Sequence, residues 1–401
     1  MPVQKAQQQE VARQQLSYDR PSLLEEVLES YPQFEKMRTE HPVLYSKERK
    51  MWQVFRYEDV SHVITDYADF SSRIMGSGET SILKGTVVAV DPPDHRKLRN
   101  LVNQAFTPRS IARLSGRVAA ITQELLDDVR SRGKMDIVPD LAFPLPAKVI
   151  AEMLGVPAED WDIFKRWALI GDTEHGIQDN GPSESTLQQE LSVYFAQLLK
   201  DRRKAPREDL ITSLSKAEVD GEQLSEKELI DFCILLLLAG QETTKNLLAN
   251  AILCFTDHPA ALEKLIHEPA LMPSAIEEVL RYLPPAWFVV RVTTKDIELG
   301  GQHIPAQQPV LAWLASANRD AAQFPDPERF DIQRTPNRHV GFGHGIHFCI
   351  GAPLARLEAQ VALPMILEQL KGLQRVKEVP IKVSRGLVFI IRNLPVTFEA
   401  V

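Results

Sequence analysis

The chain has 401 residues, with 46 lysines and arginines against 54 aspartates and glutamates, a formal net charge of −8. That balance argues against a general nucleic-acid binder, which carries a basic surplus, and 44% apolar with 25% charged residues excludes disorder for the chain as a whole. Three cysteines, Cys233, Cys254 and Cys349, are too few for a disulfide framework and fit a reducing, cytoplasmic setting.

In chain order, residues 1–20 are polar, lack the apolar core of a signal peptide and read as a flexible arm. Residues 43–57 alternate apolar and aromatic runs around a charged turn, which predicts a hairpin. From Pro93 to about Leu283 the pattern is overwhelmingly helical, punctuated by prolines. One helix stands out: Ser225 and Glu228 form a capping box and no proline follows until Pro259. About thirty residues at 1.5 Å each span roughly 45 Å. Its centre, FCILLLLAG, is apolar on every face and predicts burial all round. The run Phe232–Ala239 is also the longest apolar stretch, far short of the ~20 residues that cross a bilayer, so no membrane anchor is expected. Gly240, Gln241, Glu242, Thr243 and Thr244 follow; glycine and β-branched threonine are poor choices for a helix interior, and a buried carboxylate needs a partner. Taken alone, that segment reads as a threonine hydroxyl bonded back to the Ala239 carbonyl, with Glu242 reaching solvent.

After Pro284 the pattern changes. Val289–Thr293, Ile297–Leu299 and Pro309–Leu314 read as short strands, with a Gly300-Gly301 turn between two of them. A helix is predicted from Ala352 to Lys371, then strands around turns to the end. The fold class is mainly α with a minor β part, α+β.

The segment 341–351, GFGHGIHFCIG, concentrates four glycines around Cys349, just before the helix that Pro353 opens. A helix N-terminus favours a thiolate. Zinc needs further ligands at metal spacing, and no C-x-x-C is present. A dinucleotide loop needs glycine where Phe348 stands, and a phosphate loop needs Gly-Lys-Ser/Thr. A cysteine nucleophile with His344 or His347 as base lacks an orienting third group. Cys233 and Cys254, on apolar positions of the long helix, read as core fillers. For Cys349 a thiolate ligand to a haem iron accounts for the glycines, because a flat ring must lie close over the loop.

This segment closely resembles the haem-binding signature of the cytochrome P-450 haem-thiolate monooxygenases, Phe-Gly-x-Gly-x-His/Arg-x-Cys-x-Gly, met by Phe342, Gly343, Gly345, His347, Cys349 and Gly351. The resemblance runs in order from about residue 40 to the end and is to soluble bacterial members. It implies one haem domain over residues 21–401, a long central helix on one face of haem b and Cys349 as iron ligand on the other. Ala239, Gly240, Glu242 and Thr243 resemble the family's oxygen-activation motif. The glycine makes room for O2 and the acid–alcohol pair helps deliver protons, which reverses the reading of that segment taken alone. Phe342, Gly343 and Gly351 are implied around the haem, and His95, Arg99, Arg291 and His347 at its propionates. Asp91 is expected to cap the helix bearing His95 and Arg99. Glu278 and Arg281 match the family's Glu-x-x-Arg, with Arg329 as third member of a buried network bracing the loop.

The implied substrate pocket lies around Met75–Val88, the central helix, Ala286–Val290 and Leu387–Phe389, with Val88, Leu236, Trp287, Val289, Val290 and Phe389 as contacts. Its apolar character suggests a hydrophobic small molecule such as a fatty acid, terpenoid or steroid. From His95 to Arg117 there are six lysines and arginines and no acid. This run is expected to dock an acidic ferredoxin or flavodoxin fed by a separate NAD(P)H-dependent reductase. A monomer without nucleic-acid partners is expected. Two rivals remain: a haem protein that binds ligands without turnover, and a cysteine hydrolase using Cys349.

Overall fold

A computed structural model describes residues 22–76, 83–170, 184–384 and 386–400. The expected N-terminal arm lies outside these, as do residues 77–82 of the expected pocket loop. The helices that build the site are α1 (Asp94–Ala105), α2 (Ser115–Asp127), α3 (Pro144–Leu154), α4 (Glu226–Asp257), α5 (Met272–Tyr282) and α6 (Ala352–Gln369). The main hydrophobic cluster draws on residues from Leu24 to Phe398.

Helix α4 is the predicted central helix, with 32 residues. Ser225 Oγ accepts the Glu228 N–H at 3.2 Å while Glu228 Oε2 accepts the Ser225 N–H at 2.7 Å, satisfying two donors that helix geometry leaves open. It packs against α3, α5 and α6. Its buried polar residues tie it to neighbours. Asn246 Oδ1 accepts the Ile391 N–H at 3.0 Å, and Asn250 Nδ2 donates to the Leu283 carbonyl at 2.8 Å. Cys233 and Cys254 are buried in it, and burial pushes both thiols up.

The β part centres on a five-stranded sheet of β1 (Val43–Ser46), β2 (Met51–Val54), β3 (Phe70–Ser71), β4 (Phe288–Thr293) and β5 (Pro309–Trp313), in the order β1-β2-β5-β4-β3. The predicted hairpin is β1–β2. Strands β2 and β5 pair in parallel, Val310 opposite Trp52, so the chain between them returns by a crossover that contains α1 to α5. Strand β4 pairs with β5 with Val290 opposite Leu311. Side chains alternate along a strand, so Val289 and Arg291 share one face of β4 and Val290 takes the other.

Three short strands, Lys134–Asp136, Glu218–Val219 and Glu222–Gln223, interrupt the stretch expected to be helical. The Gly300-Gly301 turn joins Ile297–Leu299 to Gln302–Ile304, a strand too short and polar to register in the sequence pattern. Helix α1 has Pro93 at its N-cap, not Asp91. Asp91 instead accepts the Ser72 N–H at 2.9 Å.

Glu278 and Arg281 lie one turn apart in α5, both fully buried. Arg281 Nε and Nη2 each donate to the carboxylate at 2.8 Å, and its other donors reach the carbonyls of Asn318, Pro327 and Arg329 at 2.8–3.0 Å. Burial pulls the Arg281 guanidinium down, against the pull of Glu278. Glu278 also accepts the Asp331 N–H at 2.8 Å, Arg334 Nε at 3.2 Å and Asn337 Nδ2 at 3.2 Å. The expected third member is therefore corrected. Arg329 gives only its carbonyl, because the turn closed by Arg329 N–H on the Asp326 carbonyl leaves its side chain 68% exposed, toward Asp331. Arg334 supplies the second guanidinium.

Arg281→Ala should cost about 3–5 kcal/mol, since it strands a buried carboxylate. Arg329→Ala should stay within about 0.5 kcal/mol. Urea unfolding of both variants separates them, and comparable losses would contradict this assignment.

Candidate active site

The cysteine loop has one short 3-10 turn, Gly345–His347, and is otherwise held by hydrogen bonds. Val340 N–H donates to Asn318 Oδ1 at 2.8 Å, Gly343 N–H to the Val340 carbonyl at 2.8 Å, and Cys349 N–H to the Phe342 carbonyl at 2.9 Å. Gly343 and Gly345 have φ of +68° and +69°, open to glycine without strain. Two of the glycines also answer to the protein's own backbone. A Cβ at Gly341 would stand 2.8 Å from the Leu280 carbonyl oxygen, and one at Gly345 3.0 Å from Thr65 Cα. Close approach of a ring is thus only part of their reason.

Cys349 is half-buried and lines a cavity of about 310 Å³. Burial pushes its thiol up, while the backbone N–H groups of Gly351 and Ala352 and the charges of Arg99 and Arg356 work the other way. No histidine among the described residues hydrogen-bonds Cys349, and His347, which lines the same cavity, has its Nε2 on Ser72 Oγ instead.

Across the cavity stands α4. Ala239 is exposed there although most of the surrounding helix is buried, and Gly240, Thr243 and Thr244 line the same space. Thr243 Oγ1 donates to the Ala239 carbonyl at 2.8 Å and Thr244 Oγ1 to the Gly240 carbonyl at 3.0 Å. The back-bonded hydroxyl and the cavity-lining hydroxyl are one group. Its proton is held by the helix, and its lone pairs remain available to accept. Glu242, the preceding residue, is half-buried outside the cavity lining, and its carbonyl accepts Asn246 Nδ2 at 2.8 Å. At Gly240 the missing Cβ admits Ile150 of α3, whose Cδ1 would lie 3.0 Å from it.

The third wall is basic. Arg99, Arg291 and His347 line the cavity. His95 lies behind His347, ring centroids 4.4 Å apart. His347 Nε2 is 2.9 Å from Ser72 Oγ, a partner that sequence reading missed because a serine 275 positions away carries no signal. Arg291 is buried, and burial pushes it down to about 10. Burial lowers Arg99 as well. Burial and the cations Arg291, His95 and Arg99 push His347 down to about 3, and burial with Arg99 lowers His95. Among the described residues no carboxylate pairs with Arg99 or Arg291, and His95 Nε2 is buried with no hydrogen-bond partner. The charge of Asp91 acts on Arg291 and His95 without forming an ion pair with either, so this wall keeps a basic surplus that suits a dianionic ligand, as the two propionates of a haem would be.

Of the expected substrate contacts, Val88, Leu236 and Val289 line the cavity, joined by Val87, Ala286 and Leu387. Trp287, Val290 and Phe389 do not. Trp287 stacks on Phe389, centroids 5.2 Å apart, and packs on Tyr31. Val290 is on the opposite face of β4. Phe342, Gly343 and Gly351 line the cavity beside Cys349.

A cavity floored by a cysteine at a helix N-terminus, roofed by a long helix and edged by unpaired cations defines a haem-thiolate protein. Residues 148–398 match the family model described as Cytochrome P450. The chain is 42% identical to a putative cytochrome P450, YjiB, of Bacillus subtilis over 360 residues, covering 88% of this chain and 90% of that protein. It is 41% identical to the erythromycin C-12 hydroxylase of Saccharopolyspora erythraea, covering 82% and 84%. The structure of CYP109E1 from Bacillus megaterium in complex with corticosterone superposes with a TM-score of 0.86 at 38% identity, covering 94% of this chain and 100% of that one. The chain belongs to the cytochrome P450 family of haem-thiolate monooxygenases. Its cofactor is haem b, and the signature cysteine is Cys349.

The reduced, CO-bound protein should give the red-shifted thiolate–haem band. Cys349→Ala should abolish it, whereas Cys233→Ala and Cys254→Ala should keep it.

Proposed function

We propose that this P450 hydroxylates a C–H bond of a hydrophobic small molecule such as a steroid, terpenoid or fatty acid. The observation that carries the reading is the aliphatic wall of Val87, Val88, Leu236, Ala239, Ala286, Val289 and Leu387 facing Cys349, with no acidic side chain lining the cavity among the described residues. A steroid fits best, since CYP109E1 is solved in complex with corticosterone and with testosterone. When bound, the haem supplies O2 binding and reductive O–O cleavage, which thiolate donation favours.

The chain's own residues do the rest. His95, Arg99, Arg291 and His347 hold the propionates. The aliphatic wall keeps water away and positions the substrate. Thr243 accepts a hydrogen bond at the cavity, and Glu242 is its proton source. Residues 21–401 act as one haem domain, a reading supported by a main core that draws on residues from Leu24 to Phe398, and the enzyme is a cytoplasmic monomer. No helix of the described residues is long and apolar enough to cross a membrane.

Electrons come from NAD(P)H through a separate reductase and an acidic ferredoxin or flavodoxin. The basic run is smaller than its sequence count. Lys97 pairs with Glu222, Arg117 with Glu124 and Glu152, and Arg99 faces the cavity. Arg96, Arg109 and Arg113 are exposed without an acidic partner among the described residues. The helix Pro108–Ala112 carrying Arg109 packs on α6, which starts beside Cys349.

Titrating the haem-loaded protein with corticosterone should shift the haem spin state, and a reconstituted electron supply should yield hydroxylated product. Neither shift nor product with neutral hydrophobic compounds would refute the reading. Thr243→Val should keep the spin shift but lower product per NAD(P)H several-fold. Reduction by an acidic ferredoxin should slow as salt rises, and Arg109→Ala with Arg113→Ala should weaken that dependence.

A further inference from the structure

One charged cluster serves neither the cavity nor the Glu278 network. Glu277 precedes Glu278 in α5, so its side chain leaves the helix about 100° away. Its carboxylate accepts Arg356 Nε at 2.7 Å and Nη2 at 2.8 Å, a two-pronged grip, and His339 Nε2 at 2.9 Å. His339 Nδ1 accepts the Gly341 N–H at 3.1 Å, which puts the ring hydrogen on Nε2, facing Glu277. The Arg356 guanidinium carbon lies over the Phe342 ring, 4.6 Å from its centroid. The Phe342 carbonyl in turn holds the Cys349 N–H. Two arms therefore run from one carboxylate to the cysteine loop, through His339 to its backbone and through Arg356 to its aromatic ring. Burial tends to raise Glu277, but hydrogen bonds from Arg356 and His339 hold it down at about 2, so it stays anionic at working pH. Arg356 and Cys349 attract each other electrostatically.

We infer that Glu277 is a positioning residue for electron entry: it pins Arg356 over Phe342, where the guanidinium charge favours the reduced haem-thiolate and so sets its reduction potential. An added electron increases negative charge at the iron–sulfur unit, and a fixed cation nearby stabilises that state. Glu277 keeps the cation in place and is not among the residues lining the cavity. The inference rests on the haem-thiolate reading.

Spectroelectrochemical potentials of the haem-loaded protein test it, with the CO-bound spectrum run first. Absence of the thiolate band in the unaltered protein would sink the haem-thiolate reading itself. With the band present, Arg356→Gln should shift the one-electron equilibrium about threefold toward the oxidised form, about 28 mV at 59 mV per tenfold. Glu277→Gln has a direct charge effect, which is what remains in the Arg356→Gln background. In the parent background it should move the potential by a clearly different amount, so the two changes should not add. Arg356→Lys, which keeps the charge and loses the fork, should fall between parent and Arg356→Gln, and it stands in if Arg356→Gln takes up no haem. Additive shifts, or an unchanged potential in Arg356→Gln, would overturn the inference. So would loss of haem uptake in all three single variants, which would make the cluster a structural brace alone.

Discussion

A sulfur that must meet a metal at the floor of an apolar cavity imposes the constraint on which this fold depends. Cys349 sits on a loop with almost no regular structure of its own, and burial works against its ionised form. The loop is therefore held from outside. Glu278 grips Arg281, Arg281 holds the Asn318 carbonyl, and Asn318 Oδ1 takes the Val340 N–H where the loop begins. Asn318 Nδ2 closes back on the Leu280 carbonyl at 3.3 Å. An ion pair that would contribute little on a surface here fixes the position of a ligand, because every donor and acceptor in it is spoken for.

The opposite wall solves a different problem. Helix α4 must stay regular through a segment that needs a glycine and hydroxyls facing the cavity. The capping box secures its start, and Asn246 and Asn250 fasten its second half to the Ile390–Ile391 strand and the end of α5. The threonine hydroxyls return their protons to the helix one turn back, so they reach the cavity without leaving polar groups unpaired.

Much of this was legible in the sequence, and the reasons are local. The capping box, the apolar run and the glycine-rich cysteine segment all carry their meaning within about ten residues. What escaped depends on contacts between distant segments. Arg329 and Arg334 both lie in an irregular stretch, and only the direction of one turn decides which side chain enters. Trp287, Val289 and Val290 look equally apolar, yet strand alternation and the stacking on Phe389 send only Val289 to the cavity. Ser72, Asn318 and Ile150 are ordinary residues whose roles come entirely from where the chain returns. The pairing of β2 with β5 across most of the sequence belongs to the same class.

The contact of Ile150 with Gly240 also bears on how such enzymes diversify. The spacing of two crossing helices follows the side chains at their contact, and here one partner contributes none. Ile150 lines the cavity as well as filling the notch behind α4. The width of the reaction chamber is thus partly a matter of interhelical distance, set from a second helix. A lineage could resize that chamber by changing the bulk of one aliphatic residue on α3, leaving the Gly240–Thr244 segment and the cysteine loop untouched.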